Sequence, residues 1–142
     1  MGSEINYQPE TISTNSDAWK HIKDGYETGA VFITDNQQKG RGRRHNKWLS
    51  FPGKSLTFSF ILHPQTELDQ LGLLPLLSGV SIVNGIMSST SIQTGLKWPN
   101  DIMLNQKKMG GILIESRSNS NGLAVVVGMG LNINEIYQDI PY

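Results

Sequence analysis

Leu123-Ala124-Val125-Val126-Val127-Gly128-Met129 is a near-continuous apolar run with the length and β-branched character of a central strand, and Gly130 stops it. A strand buried on both faces needs neighbours, and the preceding sequence supplies them. Residues 94–98, 101–105 and 108–115 have the composition of three short strands, with Asn105-Gln106-Lys107 turning between the last two and residues 117–121 forming another polar turn. Residues 55–62 alternate, with Leu56, Phe58, Phe60 and Leu62 on one face and Ser55, Thr57 and Ser59 on the other. That is the pattern of a half-buried strand, and His63-Pro64 ends it. Ala30 to Thr34 is a further short run of strand type.

Helical patterns are fewer. Ser13-Thr14-Asn15-Ser16-Asp17 offers several capping oxygens ahead of Ala18, Trp19 and Ile22, which predicts a helix over residues 16–24 stopped by Gly25 and Gly29. Residues 71–87 carry an apolar stripe wider than one seam, from Leu71, Leu74 and Leu77 to Ile82 and Ile86, which predicts a deeply buried helix. Residues 35–52 are polar, basic and glycine-containing without an apolar period, a loop too long for a simple connector. The expected fold is α+β: one mixed, mainly antiparallel β-sheet with helices packed against it.

A chain of 142 residues has room for one domain and hides roughly two-thirds of its unfolded surface. There is no cysteine, so disulfides and thiolate metal sites are excluded and a cytoplasmic address is permitted. Twelve Lys and Arg balance twelve Asp and Glu, which gives no whole-molecule reason to expect nucleic-acid or membrane binding; cationic function must be local. No apolar run reaches the ~18 to 20 residues of a membrane span. The start, Met1-Gly2-Ser3-Glu4, lacks a basic region followed by an apolar stretch, and Asn6 stands where a myristoylation signal wants Ser or Thr. His21, His45 and His63 have no partners at metal-ligand spacing, so no structural metal is assigned.

Four segments carry candidate chemistry. Lys39-Gly40-Arg41-Gly42-Arg43-Arg44 offers glycine-permitted backbone turns and three guanidinium forks suited to phosphate or carboxylate. It is neither a P-loop nor a Rossmann fingerprint, and a solvated basic surface loop is the plain alternative. Nucleic-acid binding is disfavoured because Trp48 and Phe51 follow the basic cluster instead of interleaving with it. Lys97-Trp98-Pro99-Asn100-Asp101 is a charged, amide-rich turn after an apolar approach, which either closes a turn or binds a ligand. In Lys108-Met109-Gly110-Gly111 two glycines interrupt a strand, the mark of a bulge or of a ligand passing close, with a lysine beside the gap. Gly128-Met129-Gly130-Leu131-Asn132 again ends an apolar strand in glycines and an amide.

In this order the segments resemble the biotin–protein ligase family from about residue 12 to residue 134. Ser13-Thr14-Asn15 looks like the family's Ser-Thr-Asn opening, residues 37–48 like its glutamine and glycine-arginine loop, and Lys97 to Asp101 match its Lys-Trp-Pro-Asn-Asp signature unaltered. Lys108 to Gly111 and Gly128 to Asn132 match its remaining two motifs. The resemblance implies the biotin/lipoate ligase catalytic fold. It also implies ATP and Mg²⁺-dependent activation of biotin to biotinyl-5′-AMP, then transfer to a lysine of a biotin carboxyl carrier protein. It assigns Lys108 and Arg43 to catalysis, and Ser13, Thr14, Asn15, Gln37, Arg41, Arg43, Lys108, Gly110 and Gly111 to biotin. Thr14 and Gln37 would meet the ureido ring, and the two glycines would leave room for the apolar tail. Arg44, Trp48, Lys97, Asn100, Asp101 and Asn132 fall to the nucleotide, with Asp101 either near Mg²⁺ or orienting a lysine. The arginine loop is expected to order over its ligands.

Two departures stand out. His45-Asn46 replaces the Gly-Arg that commonly continues the family's loop, and the family's catalytic domain continues beyond Tyr142. The expectation is one catalytic domain over residues 1–142, incomplete at its C-terminal end, with no DNA-binding domain ahead of it and no DNA or membrane partner; a homodimer is compatible with it. A lipoate–protein ligase of the same fold and a non-catalytic biotin-binding fragment are the alternatives.

Overall fold

The computed structural model describes residues 4–25, 27–65 and 68–136. The Met1-Gly2 start and the end at Tyr142 lie outside the described residues. Nine strands and two α-helices are described: β1 (Ile5–Thr11), α1 (Thr14–Ile22), β2 (Val31–Gln37), β3 (Gly40–Arg41), β4 (Lys47–Trp48), β5 (Ser55–Leu62), α2 (Leu74–Thr90), β6 (Gly95–Lys97), β7 (Asp101–Leu104), β8 (Lys107–Asn119) and β9 (Gly122–Asn132). Seven of the strands form one sheet in the order β1-β2-β5-β9-β8-β7-β6, while β3 and β4 pair separately. Only β1 and β2 run parallel in it; every other pairing is antiparallel. The α+β class expected from the sequence is what forms.

The apolar run of β9 sits at the centre of that order, between β5 and β8, as its composition requires. Its side chains alternate between two cores. Ala124 and Val126 join Ala18, Trp19, Phe32 and Ile61 beneath α1. Val125, Val127 and Met129 join Ile112 and the half-buried Phe58, Phe60, Leu71, Leu74 and Ile82 on the other face, beneath α2. The hairpin between β7 and β8 turns on Asn105 and Gln106, both at positive φ (48° and 64°), the geometry that matches strand twist in a two-residue connection.

The sequence expectations need several corrections. Helix α1 begins at Thr14, two residues earlier than expected, because Ser13 supplies the N-cap backbone and its carbonyl accepts Asp17 N–H at 3.0 Å. Strand β1 carries no apolar alternation and was not expected; it adds to β2 as a parallel edge strand. There the Tyr7 hydroxyl donates to Asp35 at 2.6 Å, which raises its pKa, and the Glu10 carboxylate accepts from Gln38 and Asn36, which lowers its own. The polar turn expected at residues 117–121 is shorter, since β8 runs on to Asn119. Residues 35–52 are not a featureless loop but hold the β3–β4 pair and a 3₁₀ turn, Arg43–His45. His21 is half-buried, its ring tilted by 36° against Phe32 with the centroids 4.9 Å apart.

Two larger corrections concern burial. In β5 the polar positions are the buried ones: Thr57 and Ser59 are inside, whereas the aromatic face is only half-covered and Leu56 is exposed. Helix α2, expected to be deeply buried, has only Ser78 and Gly79 buried among its residues, with Leu76, Leu77, Val80 and Met87 exposed. Gly79 marks its contact line, for a Cβ there would stand 2.8 Å from the Leu96 side chain. The helical stretch Gln70–Thr90 is also long and apolar enough to cross a membrane by length and composition, although no uninterrupted apolar run of that length exists in the sequence. In the fold it packs one line against β6, β7 and β8.

Candidate functional site

On the α1 face of the sheet, the first turn of that helix, the end of β2, the β3–β4 segment and the glycines of β8 and β9 enclose a cavity of about 590 Å³. The volume suits a small-molecule site. Local sequence explains the room. A Cβ on Gly128 would collide with the Asn15 side chain, and one on Gly130 would collide with the Trp48 ring. The two glycines sit on one face of β9 because strand side chains alternate, so a helix residue and a loop residue each fill a space that β9 leaves open.

The inner wall is polar and buried. Ser13, Thr14 and Asn15 are each under 5% exposed. Gln37 Oε1 accepts the Thr14 backbone N–H at 2.8 Å and lies 3.1 Å from the Thr14 hydroxyl, which is 2.7 Å from Ser59 Oγ. Ser59 donates to Asn15 Oδ1 at 2.6 Å, and Asn15 Nδ2 donates to Glu115 at 3.0 Å. Two buried polar atoms on this wall, Thr57 Oγ1 and Trp48 Nε1, have no hydrogen-bond partner among the described residues. Buried donors and acceptors left in that state are costly unless something else pairs them.

The outer wall is cationic. Among the described residues Arg41, Arg43, Arg44, Lys47 and Lys108 line the cavity against one lining carboxylate, Asp101. A charge-balanced protein thus concentrates positive charge at one place. Lys108 Nζ pairs with Asp101 Oδ1 at 2.8 Å, and the lysine stem lies 3.8 Å from where a Gly111 Cβ would stand. Arg41 is braced by Ser16 Oγ at 3.0 Å and Glu115 at 3.2 Å. Arg43 reaches across the opening and donates to Asn100 Oδ1 at 3.2 Å. Asn100 is itself clipped to β8: its Nδ2 donates to the Ile112 carbonyl at 3.0 Å and its carbonyl accepts the Ile112 N–H at 2.9 Å. Arg44 and His45 both hold positive φ, 53° and 64°. His45 therefore occupies a left-handed position where a glycine would be unstrained.

Of the residues singled out from the sequence, twelve line this cavity: Ser13, Thr14, Asn15, Gln37, Arg41, Arg43, Arg44, Trp48, Asn100, Asp101, Lys108 and Gly111. Three do not. Gly110 is buried facing β9, where a Cβ would stand 2.5 Å from the Gly130 carbonyl oxygen, so its smallness admits a strand and not a ligand. Lys97 is exposed and turned toward the outer side of β6, and Asn132 ends β9 opposite Ser55, outside the lining. Thr57, Gly128, Gly130 and the exposed Trp98 belong to the lining without having been singled out as ligand-binding. Glu115 stands behind it. The polar positions of β5 were the available signal for Thr57 and Ser59; Glu115 had none beyond a charge closing an apolar run.

The family model for the biotin/lipoate A/B protein ligase family matches residues 7–132, and the chain belongs to that family. A bifunctional ligase/repressor BirA of Bacillus spizizenii is 37% identical over 142 residues, covering 99% of this chain and 44% of the relative. A biotin–[acetyl-CoA-carboxylase] ligase of Paracoccus denitrificans is 32% identical over 87% of this chain and 52% of its own length. The biotin protein ligase of Aquifex aeolicus, solved in complex with biotin and ATP, superposes with a TM-score of 0.78 at 36% identity, covering 99% of this chain and 56% of that one. The chain spans about half the length of the curated relatives it matches.

Proposed function

We propose that this chain forms the biotin- and ATP-binding core of a biotin–protein ligase, which joins biotin to AMP and passes the biotinyl group to a lysine of a biotin carboxyl carrier protein. One observation carries the proposal: a buried hydrogen-bonding wall around Thr14 and Gln37 faces a cluster of cations, Arg43 and Lys108 among them, across a single 590 Å³ cavity. Biotin has that same polarity, a ureido ring at one end and a carboxylate at the other. The Aquifex relative was solved with biotin and ATP, and the repressor function in the name of the Bacillus relative stays with that protein.

In the first step a biotin carboxylate oxygen bonds to the α-phosphorus of ATP while the bond from that phosphorus to the bridging oxygen breaks, releasing pyrophosphate. In the second a lysine amine bonds to the biotinyl carbonyl carbon, AMP leaves, and the amine loses a proton. Carboxylate and phosphate repel as they approach, so prepositioned cations that relieve this charge lower the barrier. Lys108, steered by Asp101, and Arg43, steered by Asn100, have that chemistry. Trp48 would flank the bound rings, and Arg44 and Asn100 would meet the nucleotide. The Asp101–Lys108 contact supports lysine orientation as the role of Asp101.

Magnesium does not find a built protein site here. Among the described residues no group of three His, Cys, Asp or Glu side chains comes together, and Asp101 already faces Lys108. The ion belongs in this reading to the nucleotide's phosphates. Both substrates and the carboxylase acceptor fit a cytoplasmic protein.

The test is biotin-dependent exchange of labelled pyrophosphate into ATP, with lipoate as competitor. Exchange that requires biotin and is indifferent to lipoate is the expected result. Exchange supported by lipoate instead would assign the chain to the lipoate branch of its family. Biotin binding without exchange would leave a binding fragment.

A further inference from the structure

Glu115 lies outside the cavity yet collects three N–H donors: Asn15 Nδ2 at 3.0 Å, Trp19 Nε1 at 3.0 Å and the Arg41 guanidinium at 3.2 Å. An ionised carboxylate only accepts, and this has consequences along the chain of contacts behind the pocket. Asn15 must turn its NH₂ to Glu115, which leaves its oxygen for Ser59. The Ser59 hydroxyl owns one hydrogen and gives it to Asn15 at 2.6 Å. In the 2.7 Å contact between Ser59 and Thr14, Thr14 is then the donor. Its only other choice is Gln37 Oε1, longer at 3.1 Å and already taken by the Thr14 N–H. Either way the Thr14 hydrogen points into the protein and its lone pairs face the cavity. Gln37, a lining residue whose oxygen is engaged by Thr14, has its NH₂ beside Gly40 as the donor of this wall.

We infer that Glu115 is a positioning residue that sets the direction of the hydrogen bonds Thr14→Ser59→Asn15→Glu115 and thereby makes the pocket wall an acceptor next to a donor, the complement of the adjacent N–H and C=O of a cyclic urea. Buried networks of this kind polarise one another, so a charge at one end is felt at the other. Arg41 belongs to this device as a brace: its guanidinium balances Glu115, with Ser16 as a second anchor. The packing leaves Asn15 little freedom, since the absent side chain of Gly128 is what admits its oxygen. The inference rests on the biotin reading and supplies the reason this pocket selects the ureido end.

Glu115→Gln keeps shape and removes the obligation, because a glutamine amide can donate to Asn15, letting Asn15 flip and the whole chain reverse. The experiment measures affinity by calorimetry for biotin and for the two lactam analogues in which one ureido N–H is replaced by CH₂. The wild-type protein should prefer biotin by at least about 100-fold, since a site built for an N–H rejects its absence strongly. In E115Q that preference should shrink by about tenfold or more, the scale of one hydrogen bond to a charged group. A structural defect would weaken biotin and lactams alike and leave the ratio in place, which would overturn the inference. Ser59→Ala reads the same ratio from the middle of the chain and covers the case of an E115Q protein that fails to fold. It should lower the preference, and adding E115Q to it should lower it no further. An S59A ratio equal to wild type, or additive losses in the double variant, would overturn it too. Wild-type protein that binds no biotin would sink the underlying reading as well, an outcome distinct from tight binding with unchanged ratios.

Discussion

Both faces of the sheet carry an apolar core, but they differ in what lies beside it. Under α1 the structure buries polar groups, Ser13, Thr14, Asn15, Thr57 and Ser59, of which Thr14, Asn15 and Ser59 form one network. Around α2 the sheet core is apolar, Ser78 is the buried side chain of the helix itself, and Leu73 and Leu77 are 56% and 59% exposed. A polar interior is costly unless its partners are satisfied, whereas exposed apolar side chains carry no comparable specificity. The α1 face is thus the one shaped for recognition. The α2 face gives β6, β7 and β8 a second layer and leaves its outer side bare.

The comparison is sharpest at the centre of the α1 core. Phe32 is 2% exposed and packs among Ala18, Trp19, Ile61 and Val126. Phe32→Ala should lower unfolding stability by about 3 to 5 kcal/mol, the cost of removing a well-packed ring, and chemical denaturation measures it. A loss below about 1 kcal/mol would mean that this core is far looser than the contacts imply.

The same face should separate stability from chemistry. Lys108 is half-exposed and, among the described residues, pairs with Asp101, an arrangement that contributes little to folding. Lys108→Ala should keep the melting temperature and biotin affinity close to wild type, yet slow adenylate formation in single-turnover assays by ~10² to 10³, or roughly 3 to 4 kcal/mol. Near-normal rates in that variant would transfer the role to Arg43.

The smallest effect belongs to the other face. Leu77, on the bare side of α2, should tolerate Leu77→Ala within about 0.5 kcal/mol, as surface positions do. A cost of several kcal/mol would reveal that this side is covered in solution and would erase the contrast between the faces.

Strand identities were legible where composition and burial agree. The β9 run, the β5 alternation and the Asn105–Gln106 turn each follow from local chemistry, and the basic and glycine motifs came together as the order of segments implied. What was illegible depended on partners far away in sequence. Alternation in β5 told two faces apart but not which was inside, because the polar face is buried by helix residues about 45 positions earlier. Periodicity in α2 marked an apolar stripe without showing that only one line of it meets the sheet. Strand β1 forms because β2 offers it an edge, a fact with no trace in residues 5–11 themselves. Glu115 was invisible for the same reason: its donors sit 96, 100 and 74 residues away.

The Asn100 clip ties these parts into a mechanical circuit. One side chain holds Arg43 with its oxygen and β8 with its nitrogen, so this amide ties the arginine-bearing segment to the sheet alongside the Arg41–Glu115 contact. Such a joint has a natural breaking order: the link to Arg43 is solvent-exposed and 3.2 Å long, and the link to the Ile112 carbonyl is shorter and better sheltered. By length and exposure the outer link is the weaker of the two. Asn100 thus couples a cation of the cavity wall to the strand that carries Lys108.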